Sequence, residues 1–304
     1  YVGQNQGASV MVSSTQETLA AGDPLAHVTR PARALLGWMT ENEGTLCLAK
    51  RQIQHATKPE YIQQVRSAIE AVQKRGEGLN QENLLSDIPN EIEDYVREFT
   101  AQDSFKIFAQ EGWQVKVADL SRVCALQPIV FSDHAEERTE SAIDKDTLSV
   151  AKVTLPISGK TPIPIQFDQI RNTWMITSRN PNLRIIGHAS LQVEGKTLCG
   201  FAVDITPSFV QVAFHRGRFV LRDGYHRSIG LLARGIHNAP VLFREFSQYD
   251  DLGMGHGMLQ GHAYLGNRPA LLKDYLDEEV SAKVFMPASQ KMIVVQGMEM
   301  SPLG

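Results

Sequence analysis

The chain has 304 residues, 42% of them hydrophobic and 21% charged, with a formal net charge of −4 at pH 7. That balance belongs to a globular protein long enough for two domains or one large one with insertions. A pI near 6.2 excludes a protein whose whole surface grips nucleic acid, while leaving room for a local basic patch.

Cys47, Cys124 and Cys199 are far apart and form no CxxC pair, so neither a zinc knuckle nor a disulfide framework is expected. Cys124 and Cys199 sit among apolar neighbours and are expected to be buried and inert. No run of 18 apolar residues and no basic-then-apolar leader are present, which leads to the expectation of a cytoplasmic protein with no membrane partner.

Residues 1–24 are polar and rich in small side chains and read as a flexible arm. A mainly helical block is expected over 25–112. It contains a short buried helix from Ala32 to Met39 behind Pro31 and an amphipathic helix from Glu60 to Lys74, with Ile62, Val65, Ile69 and Val72 on one face. A further helical pattern over Asn90–Ala109 is broken near Gln102-Asp103.

At Trp113 the period changes to two, predicting a strand through Val117. A helical turn over Asp119–Ala125, Gln127-Pro128 and an apolar run at Ile129–Phe131 follow. The charged run over 132–147 reads as an exposed loop or a solvated helix. Strands are expected over Leu148–Ile157, Pro162–Phe167, Thr173–Thr177, Leu183–His188, Thr197–Val203 and Phe209–Phe214. A C-terminal extension over 247–304 begins with a loop rich in Gly, Met and His. A short helix over Asp274–Ala282 and a strand over Lys291–Gln296 then follow. The fold class is α+β.

The most informative stretch runs from Phe214 to Phe243. Phe219-Val220-Leu221 reads as a strand, Gly224 as a turn, and Tyr225-His226-Arg227-Ser228 as the start of a helix ended by Gly235. Val241-Leu242-Phe243 reads as the next strand. A helix N-terminus presents unpaired N–H groups and a positive dipole end, so adjacent His226 and Arg227 point to a phosphate site. Arg227 would neutralise phosphate charge, and Gly224 would let the backbone approach. Ser228 would add a hydroxyl or simply cap the helix. Upstream, His215, Arg216, Arg218 and Arg222 concentrate positive charge in a basic lip for phosphate or nucleic acid, with Phe214, Phe219 or Tyr225 available for base stacking. Asp223 and Asp119 are the candidate catalytic carboxylates, as Mg²⁺ holders or as a base. His256 and His262 match no standard metal spacing, and no metal-ligand set is assigned.

The Asp223-Gly224-Tyr225-His226-Arg227 box between a strand and a helix resembles that of the ParB/sulfiredoxin-like fold. Val115 to Leu120 followed by Gln127-Pro128 is similar to that family's upstream box. The spacing of 97 positions from Gln127 to Gly224 departs from its shorter spacing and makes 132–210 an enlarged β-rich insertion in a core spanning 113–246. The resemblance implies nucleotide or phosphate binding at Gly224, His226 and Arg227, with ATP, ADP or CTP as the candidate nucleotide and Mg²⁺ as a candidate cofactor; Tyr225, Ser228, Gln127 and Arg222 are further candidate binding residues. It does not select one reaction, because function resides in the site. Three readings stay open: a bacterial nucleotide-binding protein that hydrolyses a nucleotide or transfers a phosphoryl group, a DNA-binding or nuclease protein of a mobile element, and a non-enzymatic, partner-binding scaffold that self-associates.

Overall fold

A computed structural model describes residues 29–76, 79–157, 163, 165–178, 182–205, 207–252, 257–287 and 291–296 of the chain. The expected arm at 1–24 and His256 lie outside them. The architecture is mixed α+β, and no helix among the described residues is long and apolar enough to cross a membrane.

The chain opens with strand β1 (Thr29–Ala34) and a 3-10 turn over Leu36–Trp38, not with the buried helix expected over Ala32–Met39. Short apolar runs read equally as helix or strand. Here Arg30, Ala32 and Ala34 alternate inward with period two, and the strand pairing decides. Helices α1 (Glu41–Leu48) and α2 (Pro59–Lys74) follow. A capping box closes the first, with Thr40 Oγ accepting from Glu43 N–H and the Glu43 carboxylate accepting from Thr40 N–H. The second has Pro59 in its first turn.

After the short β2 (Leu85–Ser86), α3 (Glu93–Ala101) and α4 (Asp103–Gln110) are broken at Gln102, as the sequence suggests. Then come β3 (Gln114–Asp119), β4 (Ile129–Phe131), α5 (Ser132–Thr139) and α6 (Thr147–Thr154). The last of these corrects the strand expected over Leu148–Ile157. The Asp146 carboxylate accepts the Leu148 and Ser149 N–H groups at 3.1 Å each and starts a helix. Val150, Ala151, Val153 and Thr154 are then all buried, so burial on several sides, rather than strand pairing, explains the apolar run.

The remainder comprises β5 (Ile165–Asp168), β6 (Thr173–Ser178), β7 (Leu183–Val193), β8 (Lys196–Ile205), β9 (Gln211–His215), β10 (Arg218–Asp223), α7 (Tyr225–Ala233), β11 (Asn238–Glu245), α8 (His262–Leu265), β12 (Ala282–Pro287) and β13 (Lys291–Gln296). A 3-10 turn over Leu272–Leu276 stands where a helix over Asp274–Ala282 was expected.

The main sheet has the order β10-β9-β11-β3-β2, with β11 parallel to β9 and antiparallel to β3. A second sheet, β12-β1-β4, pairs the beginning of the described chain with its far end, Thr29 opposite Pro287. One hydrophobic core runs from Ala32 to Met286. The sequence divisions at 112/113 and 246/247 are therefore crossed by strand pairing and by shared packing.

Within the expected insertion, β5 and β6 form one separate sheet together with the C-terminal β13, and the long β7-β8 hairpin forms another. The hairpin is exposed along most of β8, including Cys199, which corrects the expectation that this thiol is buried. Cys124 is buried, and burial pushes its thiol up to about 12.

Candidate functional site

The β9–β10 hairpin turns through Arg216 and Gly217, both at positive φ. At the other end of β10 the register shifts between Leu221 and Asp223, and such a bulge re-aims the residues that follow it. Gly224 comes next at φ +94°, as the N-cap of α7. A Cβ there would lie 2.9 Å from Val210 Cα, so backbone conformation and close approach both demand glycine. No side chain caps the helix, and its first N–H groups keep their anion-binding character.

Helix α5 packs across α7 at a second glycine. A Cβ on Gly230 would meet the Ala135 carbonyl oxygen at 2.3 Å and Thr139 Oγ1 at 2.5 Å. This contact brings His134 and Arg138 beside His226 and Arg227. Gly230→Ala should therefore separate the helices, cost about 1–3 kcal/mol as an overpacked core does, and weaken anion binding together with stability. Calorimetric titration and a thermal melt on the same sample would check both effects, and unchanged anion affinity would count against the role given to the α5–α7 contact.

The resulting cluster sets Arg138 against Arg227, with Asp223 and Glu137 as the nearby carboxylates. Burial and the Arg138 guanidinium lower the Arg227 guanidinium to about 10, against the upward pull of Asp223. Burial likewise lowers Arg138, with Asp223 and Glu137 opposing it. Arg227 donates to the Ser208 carbonyl and, at 3.1 Å, to Ser208 Oγ. His226 is held to about 3 by burial, then by Arg138, His134 and Arg227, with Asp133 pulling the other way. It is a neutral imidazole whose Nε2 accepts from Phe131 N–H at 3.4 Å, with its ring parallel to Phe131.

Beyond His226, Arg30 donates to the Asp133 carboxylate at 2.6 Å and is hydrogen-bonded to His134. Asp223 Oδ1 accepts the Gly224 N–H at 2.6 Å. Asp223 is exposed, yet desolvation by the surrounding protein raises its carboxyl above the usual range despite Gly224 N–H, Arg227, Arg222 and Arg138 nearby.

The other expected site residues take structural positions. The Tyr225 hydroxyl is buried, donating to the Leu221 carbonyl at 2.8 Å and accepting from Leu126 N–H at 2.9 Å. It clamps the 126–127 segment onto the helix start rather than facing a ligand. Gln127 Nε2 donates to the Ile129 carbonyl at 2.7 Å. Ser228 is fully buried, and its Oγ has no hydrogen-bond partner.

Arg222 turns the other way, donating to Gln211 Oε1 at 2.6 Å and to the Leu252 carbonyl at 2.9 Å, with its guanidinium over Trp113. Asp119 accepts from Ser121 Oγ at 2.6 Å and from Arg122 Nε at 2.7 Å. It pairs with Asn238, beyond the far end of α7. A nine-residue helix is about 13 Å long, so Asp119 and Asp223 do not share a site.

The basic lip is dispersed in the same way. Its turn is at the opposite end of β10 from Gly224, His215 is buried against the Tyr264 hydroxyl at 2.9 Å, and Arg218 reaches the Gly266 carbonyl. Phe214 and Phe219 pack on each other with centroids 4.8 Å apart. Arg216 alone of the lip residues is exposed.

Sequence reasoning singled out neither Arg138 nor His134, because the charged run over 132–147 reads as an exposed loop or a solvated helix. The available signal was the pair Ala135 and Thr139, four residues apart and small enough to meet a glycine inside α7. Among the described residues no group of three or more His, Cys, Asp or Glu side chains could hold a metal ion. No protein-family model matches the chain, and neither a curated protein nor a solved structure matches it.

Proposed function

We propose that the start of α7 binds the phosphate of a nucleotide, in a protein of ParB/sulfiredoxin-like type. One observation carries this reading: two part-buried guanidiniums, Arg138 and Arg227, stand close enough for Arg138 to lower Arg227, beside a helix N-terminus that no side chain caps. Clustered cations at a helix start are stabilised by an incoming anion, through charge-assisted hydrogen bonds and the helix dipole. A phosphate fits because three oxygens can meet two guanidiniums and the first N–H groups of α7 together.

Asp223 gives the site its chemical option. A carboxylate beside a phosphate is tolerated when protonated or bridged by Mg²⁺, and a raised pKa moves it toward the range useful to a general base. Hydrolysis or phosphoryl transfer would then have Asp223 take the proton of the attacking hydroxyl, with Arg138 and Arg227 stabilising the charge on the phosphoryl oxygens.

Titration calorimetry with ATP, ADP, CTP and tripolyphosphate, with and without Mg²⁺ at low salt, tests the reading. Binding is expected for the wild type and its loss for Arg227→Ala. No heat from any of these ligands with a folded wild-type protein would overturn it.

A further inference from the structure

A cavity of 320 Å³ lies between the start of α1, the approach to β4 and the segment after residue 256. Trp38, Met39, Cys47, Ile129 and Met258 supply its apolar walls. Three sulfur-bearing side chains and an indole make soft, polarisable walls that suit a flat aromatic ring. The indole N–H of Trp38 is already spent on the Arg268 carbonyl at 2.9 Å. Glu43 and Gln260, both exposed, bring a carboxylate and an amide to the lining. A mostly apolar pocket with a few polar groups at its edge is the usual make-up of a small-ligand site.

The cavity and the α7 start are joined by a single segment. Tyr225 OH receives the Leu126 N–H at 2.9 Å, Pro128 and Ile129 line the cavity, and Phe131 lies parallel to His226. Ile129 and Phe131 share one face of β4, because strand side chains alternate, and two residues of strand span about 7 Å. The segment thus runs from the cavity wall to the ring of His226, the residue next in the chain to Arg227.

We propose that this cavity is the nucleobase subsite of the ligand whose phosphate seats on Arg227 and Arg138. The inference rests on the phosphate reading of the α7 start and adds to it a source of discrimination. Phosphate contacts alone would bind a nucleotide and a bare polyphosphate alike, whereas a filled ring pocket separates them.

The test compares ATP and CTP with tripolyphosphate, by calorimetry on the full chain. The wild type is expected to bind one of the nucleotides at least tenfold tighter than tripolyphosphate. Met258→Trp, which fills the cavity, should bring the two affinities together by weakening only the nucleotide. If a melt shows that variant unfolded, Gln260→Ala on the exposed rim replaces it, with a threefold or greater loss for the nucleotide alone. Equal wild-type affinities for nucleotides and tripolyphosphate, or variants that leave the nucleotide preference intact, would overturn the base subsite and leave the phosphate site standing. Failure of the wild type to bind either class would remove the phosphate reading and this inference with it.

Discussion

Arg138→Met should weaken phosphate binding by roughly 10- to 100-fold while leaving the fold as stable as before. The first effect follows from losing a hydrogen bond to a charged group, worth about 1.5–3 kcal/mol. The second follows from what Arg138 does without ligand. Burial disfavours its charge, against the pull of Asp223 and Glu137, and no hydrogen-bonded partner holds it among the described residues. Methionine keeps the stem that packs along α5 and deletes the repulsion with Arg227. Asp223 loses one favourable neighbour, which offsets part of the gain. Urea denaturation and phosphate titration on one preparation check both halves. A clear loss of stability with unchanged phosphate affinity would make Arg138 a structural residue and remove it from the site.

Acid should destabilise the protein through His226, and the sign follows from its environment. The folded chain holds this imidazole neutral down to about 3, whereas an unfolded histidine takes up its proton near 6.5. Between those values the unfolded state binds the extra proton, so stability falls as pH drops. From pH 6.5 to 4.5 the loss is on the order of 2–3 kcal/mol, at about 1.4 kcal/mol per pH unit. His134, lowered by burial and by Arg30, adds in the same direction. Asp223 opposes both, because its raised pKa lets the folded state keep a proton that the unfolded state has released.

His226→Gln, whose amide oxygen can accept the Phe131 N–H, should flatten the melting temperature between pH 7 and 4.5. Parallel curves for variant and wild type would show that the acid sensitivity arises elsewhere.

The strand, glycine turn and helix around Gly224 were legible because each is local. Gly224 needs a positive φ, Tyr225 to Leu232 follow a helical period, and Gly235 ends the pattern at φ +77°. The partner of that helix was not legible. Arg138 reaches the site only because Gly230 accepts Ala135 and Thr139 from 90 residues upstream, and periodicity within one element says nothing about which element covers it. The same limit explains β1. Its alternation over Arg30, Ala32 and Ala34 acquires meaning only once β12 and β4 lie alongside. Asp119 and Arg222 looked chemical in the sequence because charge was counted without direction. The first is tied to Ser121 and Arg122, and the second is turned toward Trp113.

The pairing of Thr29 with Pro287 has a consequence for how the chain is made. During synthesis β1 leaves the ribosome about 250 residues ahead of β12. At roughly 5–20 residues per second, one edge of β1 stays bare for on the order of 10–50 s. A bare edge is a template for pairing with other chains. Among the described strands, the one that waits longest for its neighbour is thus the one most open to a wrong partner during synthesis.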